Sequence, residues 1–158
     1  MALIQVSEMR PGDEVFVGEM LALAMRSLPN LAQKHPHELV TMARLEMSRW
    51  QPGRDRAFVA RKAGQKLGAI WLHASGEPGA WHYTLGLAVA PLFRRQGVGA
   101  CLLQHALDWS RQHQGHTLAL KVHPSNEAAI RLYRRFGFEA EMIEMRHKLN
   151  PPTFPPKN

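Results

Sequence analysis

One stretch constrains the fold more than any other: Leu85-Gly-Leu-Ala-Val-Ala-Pro-Leu-Phe-Arg-Arg-Gln-Gly-Val-Gly-Ala-Cys-Leu-Leu103. It is apolar and uncharged through Pro91, which predicts a buried strand that stops there, because proline cannot donate a ladder hydrogen bond. Arg94 and Arg95 then stand beside Gly97 and Gly99, and Ala100-Cys101-Leu102-Leu103 is a good helix opening. Glycines let a backbone turn tightly and approach a ligand. The first amides of a helix lack intrahelical acceptors and lie at the positive end of its dipole. Strand, glycine turn, helix start and two arginines together describe a seat for phosphate.

The remaining chain divides into elements around that stretch. Residues 2–7 predict a short strand, and 14–28 a helix with Asp13 as its N-cap. A second helix is expected over 36–50 from the spacing of Leu39, Met42, Ala43 and Met47. Strands follow over 56–61 and 67–73, joined through Gly64, and a third over 81–89. The helix after Gly97 is expected to end at Gly115 as its C′ residue. A strand over 117–122 after that helix implies a parallel crossover. Ser125 or Asn126 caps a last helix that Gly137 closes, and 138–149 predicts one strand or a pair. The order β-α-α-β-β-β-α-β-α-β(β) is that of a mixed α/β (α+β) domain, with a mostly antiparallel central sheet flanked by helices. Residues 1–150 are expected to be one domain and 151–158 a Pro-rich extended tail.

Spacing excludes two common phosphate loops. A P-loop needs Gly-Lys-Ser/Thr, and Ala100-Cys101 follows Gly99. A dinucleotide fingerprint needs a third glycine where Leu102 stands, and an acidic residue at the end of the next strand, which Leu118-Ala-Leu-Lys-Val122 lacks. The net charge of +7 points to an anionic partner. The basic residues are scattered, without a run of five or six, which argues against a nucleic acid and for a phosphorylated small molecule. Cys101 is the single cysteine, so no intrachain disulfide can form, and the expected compartment is the reducing cytoplasm. Neither a signal peptide nor a membrane span is predicted. The nine histidines show no metal-ligand spacing, so no metal is expected.

Arg94-x-x-Gly97-x-Gly99 after an apolar strand, followed by Asn126-Glu-Ala-Ala-Ile-Arg-Leu-Tyr133-Arg-Arg-Phe-Gly-Phe138, resembles the GNAT superfamily of acetyl-CoA-dependent N-acetyltransferases. The resemblance covers the chain in element order and is strongest from Leu85 to Phe138. It implies that backbone amides of Arg95, Gln96, Gly97, Val98, Gly99 and Ala100, with Arg94 opening the loop, hold the pyrophosphate of coenzyme A. It also implies that main-chain groups of Leu87, Ala88 and Val89 pair with pantetheine, and that Asn126 contacts the cofactor arm. Tyr133 would lie beside the thioester sulfur as general acid toward the leaving thiolate. Asn126 and Tyr133 are two helical turns apart, on one face.

The implied reaction is direct attack of a primary amine on the acetyl thioester, which needs deprotonation of the amine. The two familiar carboxylate bases of the family are absent: Lys121 and Tyr83 occupy their positions. His73, His82, Tyr83, Glu77 and a water relay remain as candidates. The acceptor, a small molecule or peptide amine, is not specified by these residues, and a second copy of the chain is a candidate partner. A non-catalytic acyl-CoA-binding module and a transferase using a larger acyl-CoA are the alternatives.

Overall fold

The structure, a computed structural model, describes residues 2–147 and Leu149. Five strands, β1 (Gln5–Glu8), β2 (Asp55–Lys62), β3 (Gln65–Glu77), β4 (Ala80–Val89) and β5 (Gly115–Ala119), form one sheet in sequence order. The first three pairings are antiparallel and β4–β5 is parallel. The mixed, mostly antiparallel sheet read from the sequence is therefore present.

Period-two alternation sorts the strands' side chains onto two faces. Ala57, Val59, Ala69, Trp71 and Ala88 pack with Val17, Leu21, Leu39 and Ala43 of α1 (Glu14–Arg26) and α2 (Pro36–Ser48). Phe58, Ile70, Leu72, Tyr83 and Leu85 pack on the other face with Val98, Leu102, Leu103 and Ala106 of α3 (Val98–Gln112). The short helix α4 (Glu127–Arg135) reaches that second cluster through Leu132 and Tyr133. Cys101 lies within α3, a half-buried free thiol.

α2 begins where Pro36 fixes the first helical φ and Glu38 reaches back to accept the His35 N–H at 2.8 Å. The strands run longer than the sequence predicts: β3 and β4 continue to a hairpin at Pro78-Gly79, through residues expected to turn. At the end of α3 the left-handed residue is Gln114 (φ 59) rather than Gly115. Gly115 instead opens β5, where an added Cβ would lie 2.7 Å from the Ser110 carbonyl oxygen.

Asp13 differs from its expected role. It stands at the N-cap of α1, but its side chain makes no cap hydrogen bond. The carboxylate accepts the Arg10 N–H at 2.8 Å and pairs with Arg61 and with Lys66 Nζ at 2.9 Å, while Asp13 itself is 3 % exposed. Burial opposes its ionisation, but the Arg10 amide, Arg61 and Lys66 outweigh burial and hold the carboxyl well below the usual range. A lowered folded-state pKa gives stability that is complete above the ordinary carboxylate value and is lost as pH falls into the strongly acid range. Asp13→Asn is expected to cost about 2 kcal/mol at pH 7, since it leaves Arg61 half-buried without its counter-charge. Urea melts at pH 7 check this, and unchanged stability would contradict it.

The chain end corrects a second expectation. Residues 138–147 and Leu149 form no strand. Met142, Ile143 and Met145 are 92, 89 and 90 % exposed, so the apolar alternation that predicts a strand is not paired with β5. A strand pattern supplies side chains for one face but needs a neighbour to accept its backbone groups. The Pro-rich tail, 151–158, lies outside the described residues.

Candidate functional site

β4 carries the site because it loses one neighbour halfway along. It pairs with β5 only from Trp81 to Thr84, whereas its pairing with β3 continues to Val89. The Ala90 N–H donates to the Leu67 carbonyl at 2.9 Å, which fixes the phase of the β3–β4 ladder. In an antiparallel ladder, alternate residues turn both backbone groups toward the partner. Ala88 and Gly86 therefore turn theirs toward β3, and Leu87 and Val89 turn theirs toward the side that β5 has left. Of the three strand residues singled out in the sequence, Leu87 and Val89 offer main-chain groups at the open edge, and Ala88 lies between them with its groups in the sheet. The Arg94 Nε donates to the Val89 carbonyl at 3.3 Å, from that same open side.

The chain then makes one 3-10 turn, Pro91–Phe93, and enters the glycine loop. Arg95 (φ 62) and Gly97 (φ 81) both take left-handed conformations, and Gly97 is the N-cap of α3. Among the described residues, no backbone hydrogen bond is donated by Arg95, Gln96, Gly97, Val98, Gly99 or Ala100; the first helical bond is from Cys101 to Gly97, at 3.0 Å. Six consecutive amides thus stand free at the positive end of a 15-residue helix. Gln96 Nε2 donates to the Leu92 carbonyl at 3.1 Å, which closes the turn from outside. Arg94 and Arg95 enter no salt bridge among the described residues. The arrangement suits a doubly charged phosphate group.

α4 borders this loop. An added Cβ on Gly99 would lie 3.2 Å from Leu132 Cδ2 and 3.8 Å from Val89 Cγ2, so helix, loop and strand meet there. Asn126 caps α4, its Oδ1 accepting the Ala129 N–H at 3.3 Å. Tyr133 lies between α4 and Phe138, ring centroids 5.8 Å apart. Its hydroxyl makes no hydrogen bond among the described residues, and burial pushes its pKa up, so the phenol stays protonated at neutral pH and can donate. Gly99 of the loop, Val89 of the open strand and Leu132 of α4 thus meet on the α3 side of the sheet, with Tyr133 beside Leu132 in the same helix and Asn126 at its start.

The four candidate bases separate clearly. Tyr83 is 4 % exposed on the α3 face, and its hydroxyl donates to the His113 carbonyl at 3.2 Å. Glu77 is opposite Ala80 at the far hairpin. His82 shares a 2.8 Å hydrogen bond with Thr117. His73 is opposite Thr84, where β5 departs, and its Nδ1 is 2.7 Å from Asp55 Oδ1. Sequence reasoning missed the Asp55 partnership. No local sequence signal marks it: the β2–β3 register shifts by one residue between Ala60 and Arg61, and this brings Asp55 opposite His73 instead of Leu72.

Lys121 is exposed and does not carry a carboxylate into the site. Among the described residues, no group of three metal-ligating side chains comes together, and no helix is long and apolar enough to cross a membrane.

Comparison with known proteins adds independent findings. A model of the acetyltransferase (GNAT) family matches residues 19–138. A mycothiol acetyltransferase of Acidimicrobium ferrooxidans is 34 % identical over 91 residues, 56 % of this chain and 29 % of that protein. The chain spans between 29 and 59 % of the length of the first curated relatives it matches. Among solved structures, a putative acetyl transferase from Pyrococcus furiosus superposes with TM-score 0.73 at 19 % identity, covering 93 % of this chain and 100 % of that one. The aminoglycoside N-acetyltransferase AAC(6')-Iy, in complex with CoA, superposes with TM-score 0.64 at 17 % identity, covering 94 and 96 %.

Proposed function

The chain belongs to the acetyltransferase (GNAT) family, and from that premise we propose that it transfers an acetyl group from acetyl-CoA to a primary amine. The observation that carries the reading is the row of six unpaired amides, Arg95 to Ala100, at the start of α3. Those amides, with Arg94 and Arg95, hold the coenzyme pyrophosphate. Leu87 and Val89 pair with the pantetheine arm along the open edge of β4, Ala88 packs beneath it, and Asn126 contacts it from α4. A solved structural relative, AAC(6')-Iy, is in complex with CoA, which agrees with this use of the fold. The acetyltransfer domain spans residues 1–150, with 151–158 as a tail outside it.

The chemistry follows from what these groups can donate and accept. The free N–H of Leu87 stabilises the oxyanion that forms when the amine adds to the thioester carbonyl, while the N–H of Val89 is left to the pantetheine arm. Tyr133, a half-buried phenol whose pKa desolvation raises further, is protonated at neutral pH; it gives its proton to the departing thiolate and recovers one through water from the newly bonded nitrogen. The acceptor is an amine-bearing small molecule or peptide, and a donor panel of longer acyl-CoAs fixes the acyl-chain preference.

Titration calorimetry with acetyl-CoA, followed by thiol release across spermidine, kanamycin and an alanine-terminated peptide, tests the proposal. Tight coenzyme binding with no thiol release would leave a binding module and remove the transferase. Tyr133→Phe is expected to lower turnover about 100-fold while acetyl-CoA affinity stays within about twofold, because the phenol acts on the leaving group and not on the bound ground state. Equal turnover in variant and parent would take Tyr133 out of the mechanism.

A further inference from the structure

The strand register selects one of the candidate bases, and we infer that His73, oriented by Asp55, takes the proton from the acceptor ammonium before attack. The inference rests on the transferase reading above and names the residue that prepares its acceptor.

Four observations carry it. First, Asp55 is committed on both oxygens: Oδ1 to His73 Nδ1 at 2.7 Å and Oδ2 to the Gln51 N–H at 2.5 Å. A carboxylate held in this way accepts a proton-bearing Nδ1, which leaves the lone pair of the neutral ring on Nε2. Second, Nε2 makes no hydrogen bond among the described residues, and the His73 side chain is 33 % exposed. The base is therefore oriented at one end and open at the other. Third, His73 faces Thr84, the last residue of β4 paired to β5, and Leu87 lies three residues further along the opened strand. That separation is about 10 Å along the strand at the usual rise, and His73 stands on the α1 and α2 face, opposite the face of Tyr133, so the proton passes to His73 through intervening water and base and acid act from opposite faces of the sheet. Tyr83 spends its hydroxyl on His113, and His82 and Glu77 lie further from the opening. Fourth, His73 projects from the face of Trp71 and α2, with Trp50 edge-on at 5.6 Å. That indole offers an apolar wall to the body of an amine.

The groups around His73 are Asp55 from β2, Arg54 from the preceding turn, whose guanidinium lies over Trp81, and His82 on β4. Of these groups, Asp55 alone hydrogen-bonds the ring. The proton balance closes. The ammonium gives one proton to His73 Nε2 and becomes a nucleophilic amine; its lone pair forms the C–N bond, the oxyanion collapses as the C–S bond breaks, Tyr133 protonates the thiolate and regains the second nitrogen proton through water, and the imidazolium returns its proton to solvent.

The test uses the full chain with acetyl-CoA and the same three amines, with thiol release followed from pH 6 to 10. His73→Gln, which keeps a side-chain donor for Asp55, is expected to bind acetyl-CoA like the parent. Its kcat at pH 7 falls about 100-fold, and its rate climbs with pH toward the amine's own pKa instead of levelling off. Asp55→Asn is expected to lower kcat less, about 10-fold, with KM for the amine and acetyl-CoA affinity unchanged, because the ring loses the partner that orients it. That split of kcat from KM separates a positioning role from a structural one, and matching circular dichroism spectra show that each variant folds. A parental pH profile in His73→Gln overturns the inference while the transferase reading stands. A parent that binds acetyl-CoA but transfers to none of the amines overturns both, and a parent that fails to bind it overturns the coenzyme seat first.

Discussion

Gly97→Val is expected to weaken coenzyme A binding by more than about 100-fold, the largest functional effect of any single change in the loop. Gly97 has φ 81, a conformation a β-branched side chain strongly resists. It is also the N-cap from which α3 starts, so its backbone sets the direction of the amides on either side. Valine drives φ negative and re-aims that row. Each hydrogen bond from an amide to a charged phosphate contributes roughly 1.5–3 kcal/mol, and losing two of them exceeds the hundredfold. The fold itself survives, because no protein atom lies within 4 Å of the position a Cβ would take. Calorimetry with coenzyme A and a thermal melt separate the two effects. Parental affinity in a folded variant would contradict the role given to the loop.

Gly86→Val is expected to destabilise the protein by about 3 kcal/mol, for a reason unrelated to φ. The Trp71 indole lies across Gly86 so closely that an added Cβ would be 2.4 Å from the ring. Trp71 is 7 % exposed and belongs to the cluster beneath α1 and α2, so it cannot move aside without opening that cluster. The double variant Trp71→Ala with Gly86→Val separates this contact from general strain in β4. It is expected to lose at least about 1 kcal/mol less than the sum of the single losses, because the cavity left by the indole accommodates the valine. Urea unfolding gives each value. Additive losses, or a Gly86→Val protein as stable as the parent, would contradict the packing described.

The legible parts of the chain were those with local causes. Pro91 ended β4, the glycines of the loop turned the chain into α3, and Asn126 capped α4, each within a few residues of the expected place. What escaped depended on distant neighbours. Asp13 carries the sequence mark of a helix cap, yet Arg61 and Lys66, brought in by β2 and β3, outcompete the helix amides for its carboxylate. The Asp55–His73 pair depends on one bulge, and a one-residue slip in register would have turned the two side chains to opposite faces. Leu87 and Val89 differ from Ala88 only through the phase of the ladder with β3, which composition does not reveal. The apolar alternation after Phe138 shows the limit from the other side: it marks a segment able to be a strand, while pairing requires an edge that residues 138–147 do not join.

The central claim is that the amides at the start of α3 seat coenzyme A. It is tested most directly by two-dimensional amide NMR of uniformly 15N-labelled protein titrated with coenzyme A. The largest shifts are expected at Arg95, Gln96, Gly97, Val98, Gly99 and Ala100, with smaller ones at Leu87, Val89 and Asn126, all saturating together. Shifts confined to the aromatic cleft of Trp81, Tyr83 and Trp109 at the opposite end of α3, or no saturable shift in the loop, would contradict it.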